Sequence, residues 1–409
     1  MIKRPRGTRD LLPEEMAVRR NIEDTFRRTC ESFGYREVLT PTFEYTKLFT
    51  ERSGPEIIEN LYAFKDKSGR EISLRPEFTA PVIRMYVEGL RERPKPLKLF
   101  YFGSTFRYER PQSGRYREFW QFGTELIGPD TPRADAENIA LAYRCMKNAG
   151  LREFRLNISH LGVLETFFRE KDVSQGETGE LYRAIDNDNL DKIDGEIVPE
   201  LEELLSLDLD GVESMLKDTS SIEYLKKVLV TLEAYDVKDY VVDLRTVRGL
   251  DYYKGVVFEL EADSLGAEKQ ICGGGDYTLG DIFGVDVSSK GFAIGFDRTI
   301  LALENQGEIM GDERRDCYLI PIGDVSMEYC YKLLSDLRES GINTDMEMMD
   351  RSVGKSLSYA DKTGFRYVIL IGEEEVEKET ATVKDMKSGE QNEVGIEQLI
   401  EVLMRVESE

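Results

Sequence analysis

Four arginines, Arg107, Arg110, Arg115 and Arg117, fall within eleven residues of one another. An isolated arginine cluster usually belongs to a solvated surface. Here the following residues alternate: Trp120, Phe122 and Leu126 against Gln121, Gly123 and Glu125. Period-2 alternation assigns each set to its own sheet face. The apolar set should pack into a core, and the polar set should face a ligand or water. Arg107 and Thr105 share a face on the preceding arm. Guanidinium forks in such a place suit phosphate oxygens. The chemistry on offer is therefore phosphate binding on an antiparallel sheet, without a P-loop or a Rossmann turn.

Residues 98–128 are predicted to form the hairpin that carries these groups, with 109–116 as its loop. A helix should open at Pro13, where the missing N–H costs nothing and Glu14 and Glu15 meet the positive dipole end. Val18, Ile22, Phe26 and Phe33 lie on one helical face, and Gly34 ends it. A strand is expected at 36–39, strands joined by a turn at Lys67-Ser68-Gly69 within 56–80, and a helix over 80–91. Residues 133–150 and 295–305 read as helices, and 152–158 as a strand. Residues 161–240 are acidic and helical in pattern, most clearly at 201–209. The tail reads β-α-β-α-β-β-α, with strands at 317–322, 343–348, 365–371 and 380–386. That is a separate α/β domain.

Composition narrows the chemistry. The 409-residue chain has a net charge of −24 and one histidine, His160. Zinc sites that need two histidines are excluded. His160 reads as a core or loop residue rather than a catalyst. No apolar run approaches a membrane span, and the N-terminus has no signal-peptide core. Five cysteines without a C-x-x-C pair fit reduced structural thiols in a cytoplasmic protein. The net charge argues against a nucleic-acid partner, but it is segregated. Residues 1–150 count +5, 151–240 count −12, 241–310 count −6 and 311–409 count −11.

Two segments imitate nucleotide motifs. VGKSLS at 353–358 resembles the end of a P-loop, but Met349 stands where the first glycine is needed, so a helix N-terminus near Ser352 is the better reading. GGGD at 273–276 lacks dinucleotide-fingerprint spacing. It is either a close-packed turn or a backbone that a ligand approaches closely. The acidic run 373–375 reads as a solvated edge.

The segment FRYERPQSGRYREFWQFGTELIG resembles motif 2 of class II aminoacyl-tRNA synthetases, and in wording that of the histidyl-tRNA synthetases. TVRGLDYYKGVVFEL at 246–260 is similar to that family's RGLDYY signature, and GFAIGFDRTILAL at 291–303 to class II motif 3. REVLTPTFE at 36–44, with Pro41, looks like the dimer-forming motif 1, and LRPEFTAPVIR at 74–84 like the family's R-P-E-x-T-A stretch. The resemblance spans nearly the whole chain. It implies an α+β catalytic domain with a mostly antiparallel sheet (1–165 and 241–310). It also implies a helical insertion domain (166–240) and a C-terminal α/β anticodon-binding domain (311–409).

The resemblance also implies roles. Glu77 and Thr79, helped by Gln121, would hold the α-ammonium of L-histidine. Glu125 and Tyr253 would hydrogen-bond the imidazole, with Tyr252 and Tyr277 lining the pocket. Arg107 would touch the α-phosphate of ATP. Arg115 and Arg298 would hold the outer phosphates, Arg298 and Phe119 would sandwich the adenine, and Glu109 would meet its amino group. Arg248 would lie against the α-phosphate and the substrate carboxylate as the main catalytic group. Arg110 and Gln112 would contact the acceptor end of tRNA(His). Mg2+ should bridge the phosphates, with no assigned protein ligands, and a homodimer is expected. Two departures stand out: Phe78, where many relatives carry a smaller residue, and Asp276, where relatives of the GGRYD type carry arginine. A non-catalytic relative, the regulatory subunit of ATP phosphoribosyltransferase, generally lacks the last domain and degrades the arginines. This chain keeps Arg107, Arg248 and Arg298. An enzyme for proline, threonine or glycine is disfavoured by RGLDYY and Glu125.

Overall fold

The computed structural model describes residues 2–51, 58–110, 114–193, 195–247, 253–266, 269–278, 283–308, 315–325 and 327–405. The chain divides into two compact units, Met1–Met310 and Gly311–Glu409.

In the first unit the strands are β1 (Arg36–Glu37), β2 (Phe43–Tyr45), β3 (Ala63–Lys65), β4 (Glu71–Leu74), β5 (Leu97–Phe106), β6 (Glu118–Ile127), β7 (Arg155–His160), β8 (Val241–Val242), β9 (Tyr253–Glu261), β10 (Gln270–Tyr277) and β11 (Ser289–Gly295). Eight of them form one sheet in the order β1-β5-β6-β11-β10-β9-β7-β8. Only the β1–β5 and β7–β8 pairings are parallel, so the sheet is mostly antiparallel as expected. Strands β2, β4 and β3 make a small separate sheet.

The helix Pro13–Ser32 begins at its proline, and the Glu15 carboxylate accepts the Leu12 N–H at 2.9 Å. Gly34 follows its end at φ +83°, a conformation that glycine adopts without a Cβ penalty. This helix, Pro132–Asn148 and Ser220–Ala234 contribute to one large core with the sheet. Phe122 lies at its centre, fully buried, 5.2 Å from Phe26 and 5.7 Å from Phe100. The other residues of the β6 alternation, Gln121 and Glu125, are buried away from it. Phe122→Ala should cost about 3–5 kcal/mol of stability, measured by urea unfolding.

The acidic segment 161–240 is helical, with elements Leu161–Glu170, Gln175–Asp186, Val198–Ser206, Leu209–Met215 and Ser220–Ala234. Leu164, Phe167, Leu201, Leu204 and Ile222 lie in a second core, which also takes in Leu244, Val247 and, from β9, Val257. The last helix also turns Leu225, Val228 and Leu232 into the sheet's core. The stretch 201–209, where the helical pattern is clearest, is divided between two helices at Leu207. Asp208 starts a new helix there by accepting the Gly211 N–H at 2.8 Å.

The second unit holds a five-stranded sheet, β13-β12-β14-β15-β16. Its strands are β12 (Cys317–Pro321), β13 (Thr344–Met346), β14 (Tyr367–Ile371), β15 (Thr380–Asp385) and β16 (Gln391–Gly395). Two elements were not expected from sequence. Glu373–Lys378 is a short helix rather than an edge, its three acids at the positive end of the dipole. β16 is a polar, largely exposed strand without hydrophobic alternation to announce it. The segment at 353–358 opens a helix, with Ser352 preceding it.

Candidate active site

On the sheet face opposite the large core, β5, β6 and β10 meet the segment after β4. Leu99 pairs with Glu125, Tyr101 with Gly123, and Gly103 with Gln121. Glu125 is 1% exposed, and its two oxygens accept hydrogen bonds from Tyr101, at 3.2 Å, and from Tyr277. Thr79 also hydrogen-bonds it. The strand opposite must be bare, because a Cβ at Gly291 would run into the Glu125 carboxylate. Glu77 is buried next to this pocket. It accepts the Ala80 N–H at 3.1 Å and so caps the helix Thr79–Met85. Gln121 is buried, and its Oε1 finds no partner among the described residues. Tyr253 starts β9 directly across from Tyr277.

Burial pushes the Glu125 carboxyl from the ordinary 4.5 up to about 8, against hydrogen bonds from Tyr277 and Thr79 that lower it. The nearby Glu77 charge raises it further. Glu77 is itself raised, by burial, against its backbone N–H bonds and the charge of Arg107. The sign follows by linkage. A carboxyl with a raised folded pKa binds protons that the unfolded chain has released, so its contribution to stability is lost as pH rises toward 8. The Glu125 share of stability should therefore fall between about pH 5 and pH 8. It is read as the difference in thermal midpoint between the substrate-free protein and Glu125→Gln, because buried neutral His160 acts in the opposite direction below about pH 6.5. Glu125→Gln should lessen the protein's overall fall, leaving the parts due to Glu77 and to Asp276, whose carboxyls burial also raises.

Beside this pocket lies a cavity of about 300 Å³. Arg107, Glu109, Arg115, Phe119, Gln121 and Arg298, all chosen from sequence, line it together with Trp120, Gly273 and Asp297. Arg107, just past β5, donates from Nε to the Pro76 carbonyl at 3.0 Å and stands 5.3 Å over the Phe119 ring. Arg115 pairs with Glu109, which is also 3.9 Å from Arg107. Arg298, in the first turn of Phe296–Asn305, donates to the Gln270 carbonyl at 3.0 Å. The cavity thus has guanidinium groups on several walls and adjoins the buried carboxylate pocket at Gln121.

GGGD lies inside strand β10, paired on both sides, and is not a turn. A Cβ at Gly274 or Gly275 would strike neighbouring backbone, so these glycines serve close packing, while Gly273 lines the cavity. Arg110 is exposed on the loop. Gln112, Arg248 and Tyr252 lie outside the described residues. His160 is buried; its Nδ1 accepts the Gly162 N–H at 3.1 Å, and burial lowers it to about 4, as a structural residue should behave.

Sequence reasoning missed three contributors. Tyr101, on the same β5 face as Thr105, could have been found by extending the period-2 count backward. Its ring stacks on Phe78 at 4.5 Å, which accounts for a large residue at 78. Arg75 lies 3.9 Å over the other face of Phe78 and donates to the carbonyls of Thr40 and Ser104, both at 2.8 Å. Asp297 pairs with Arg19 at 2.6 Å and accepts the Trp120 N–H at 2.9 Å, tying the helix start to β6. These partners are far apart in sequence and leave no local signal.

Among the described residues no three His, Cys, Asp or Glu side chains gather to hold a metal. The cavity's carboxylates, Glu109 and Asp297, are engaged by arginines.

Comparison with known proteins agrees across both units. Residues 7–299 match the family model for histidyl-tRNA synthetase, and 316–405 the model for an anticodon binding domain. The Histidine--tRNA ligase of Archaeoglobus fulgidus is 42% identical over 415 residues, covering 98% of this chain and 99% of that protein. The Pyrococcus furiosus enzyme of the same name is 42% identical over 430 residues, with the same coverages. The crystal structure of apo S. aureus histidyl-tRNA synthetase superposes with a TM-score of 0.79 at 33% identity, covering 98% of this chain and all of that one.

Proposed function

The chain belongs to the histidyl-tRNA synthetase family and ligates histidine to tRNA, and from that premise we propose which residues carry each step. One observation supports the assignment above others: a buried, hydroxyl-ringed carboxylate adjoins an arginine-lined cavity on one sheet face.

Histidine would enter with its imidazole toward Glu125 and Tyr253, and Tyr252 and Tyr277 would complete the walls. A carboxylate has about four lone-pair positions, so the Tyr101 and Tyr277 hydroxyls leave room for an imidazole N–H. Glu77, Thr79 and Gln121 would take the α-ammonium. The unpartnered Gln121 Oε1 is an acceptor of the kind that cation needs. ATP would occupy the cavity, with its adenine between Phe119 and Arg298 and its amino group at Glu109. Arg115 and Arg298 would face the outer phosphates. The Arg115–Glu109 pair would open as each takes its own part of the nucleotide.

The histidine carboxylate then attacks the α-phosphorus in line. The bond to the β-phosphate oxygen breaks and pyrophosphate leaves. Arg107 and Arg248 would stabilise the charge on the equatorial oxygens by electrostatics set before reaction. A bound magnesium ion would supply further charge neutralisation to the leaving pyrophosphate, beside Arg115 and Arg298. No protein nucleophile takes part. In the second step a terminal adenosine hydroxyl of tRNA attacks the adenylate carbonyl and AMP departs. Arg110 and Gln112 would contact that acceptor end. The regulatory relative of ATP phosphoribosyltransferase is not favoured, because the anticodon-binding segment is present and the ligase relatives match end to end. Charging of tRNA(His) transcripts with labelled histidine tests the reading. Histidyl-tRNA and AMP should form in equal amounts, and a folded protein that forms neither would refute it.

A second copy of the chain would cover Leu39, Phe43, Tyr45 and Phe64. These are 75%, 56%, 56% and 48% exposed, on the motif 1 segment and the small sheet. Apolar exposure of that kind marks an interaction surface. Sedimentation should find two chains per particle, and Leu39→Asp with Phe43→Asp should yield monomers with little exchange activity. Among the described residues no helix is long and apolar enough to cross a membrane. All five cysteines are free and buried, which accords with a reducing cytoplasm.

A further inference from the structure

The β9–β10 ladder is broken where the histidine pocket begins. Val257 pairs with Gly275, but the next pair is Lys254 with Asp276, so Gly255 and Val256 are looped out of this ladder. Gly255 has φ +62°, which favours glycine. The Val256 N–H turns to the Asp276 carboxylate at 3.4 Å, and that carboxylate packs directly over Gly255. The other Asp276 oxygen is 2.5 Å from Nζ of Lys290, which is 0% exposed and also holds Asp135 at 2.8 Å. Asp135 in turn accepts the Tyr224 hydroxyl at 2.7 Å.

A buried ion network of this kind is costly to desolvate, and apolar packing would often be at least as stable. Its position suggests what it does instead. The residues immediately beyond the bulge are Tyr277 and Tyr253, paired across the two strands. By strand alternation Tyr277 points to the face opposite Asp276, where its hydroxyl meets Glu125. We propose that Asp276, held by Lys290, is a positioning residue for histidine: it fixes the bulge and thereby aims Tyr253 and Tyr277 into the substrate pocket. The proposal rests on the histidine-pocket assignment above. It also explains why an acid is present at 276, since an arginine there would face Lys290.

The test compares KM for histidine with KM for ATP in pyrophosphate exchange. Asp276→Asn keeps the side chain's size and an oxygen for the Val256 N–H but loses the charge that holds Lys290. It should raise the histidine KM about tenfold while the ATP KM stays within about threefold, because only the tyrosines are misaimed. Lys290→Met should do the same, and if it fails to fold, Asp276→Asn carries the test alone. Tyr224→Phe, which removes a bond to Asp135 without touching the bulge, should leave both constants unchanged. An unchanged histidine KM in Asp276→Asn would overturn the proposal, as would a parallel rise in both constants. Absence of histidine-dependent exchange in the unaltered protein would instead refute the pocket assignment itself.

Discussion

Replacing Arg107 with alanine is expected to slow histidine-dependent exchange of pyrophosphate into ATP by about 1,000-fold, roughly 4 kcal/mol of transition-state stabilisation. The size follows from preorganisation. The guanidinium is already oriented by the Pro76 carbonyl and the Phe119 ring. It is ready where charge would develop on the α-phosphate, so no reorganisation is needed during the step. Most of the loss should fall on kcat rather than on KM, because the interaction strengthens as the phosphorus becomes five-coordinate. Arg107→Lys should recover only part of the rate, since an ammonium lacks the planar fork. Circular dichroism and thermal melting should show an intact fold. The family resemblance implies a comparable loss for Arg248→Ala, and the double variant would reveal whether the two act as a unit. If Arg107→Ala retains its rate, the arginine has another role.

Glu125→Ala is expected to lower kcat/KM for histidine by about 100-fold while leaving the ATP KM within about twofold. The selectivity of that loss comes from geometry. Glu125 belongs to the pocket ringed by Tyr101, Tyr277 and Thr79 and does not line the cavity assigned to ATP. Removing it leaves two buried tyrosine hydroxyls without their acceptor and the imidazole without a partner. Glu125→Gln keeps an acceptor oxygen and should fall between the two proteins. Losses spread equally over both substrates would argue that Glu125 only holds the sheet together.

Much of this arrangement was legible in the sequence because it is local and periodic. Period 2 along 118–127 separated Phe122 from Glu125 correctly. Arg107 and Arg115 converged with Phe119 and Arg298 on one cavity, which Arg110 and Arg117 do not line. What escaped had a different physical basis. Tyr101 reaches Glu125 across a strand pair, over a glycine. Asp297 and Arg75 bind partners brought close only by the fold. The Lys290 network joins β10, β11 and two helices, and no spacing rule connects those positions. Strand β16 escaped because an exposed, polar edge has no apolar alternation to detect.

Net charge illustrates the matter of scale. The −24 of the whole chain suggested a poor partner for nucleic acid, yet residues 91–120 alone count +5, with eight basic residues against three acidic. The acids concentrate in the helical segment and the second unit. Electrostatic steering depends on the patch a ligand meets within about a Debye length, roughly 10 Å at 0.1 M salt, and not on the sum over the chain.

Pyrophosphate exchange into ATP, run with each of the twenty amino acids in turn on the unaltered protein, tests the central claim most directly. Histidine alone should support exchange, because in the proposed pocket only it would pair its two ring nitrogens with Glu125 and Tyr253 and leave no buried polar group unmatched. Absence of exchange with histidine from folded protein, or equal exchange with another amino acid, would contradict the account.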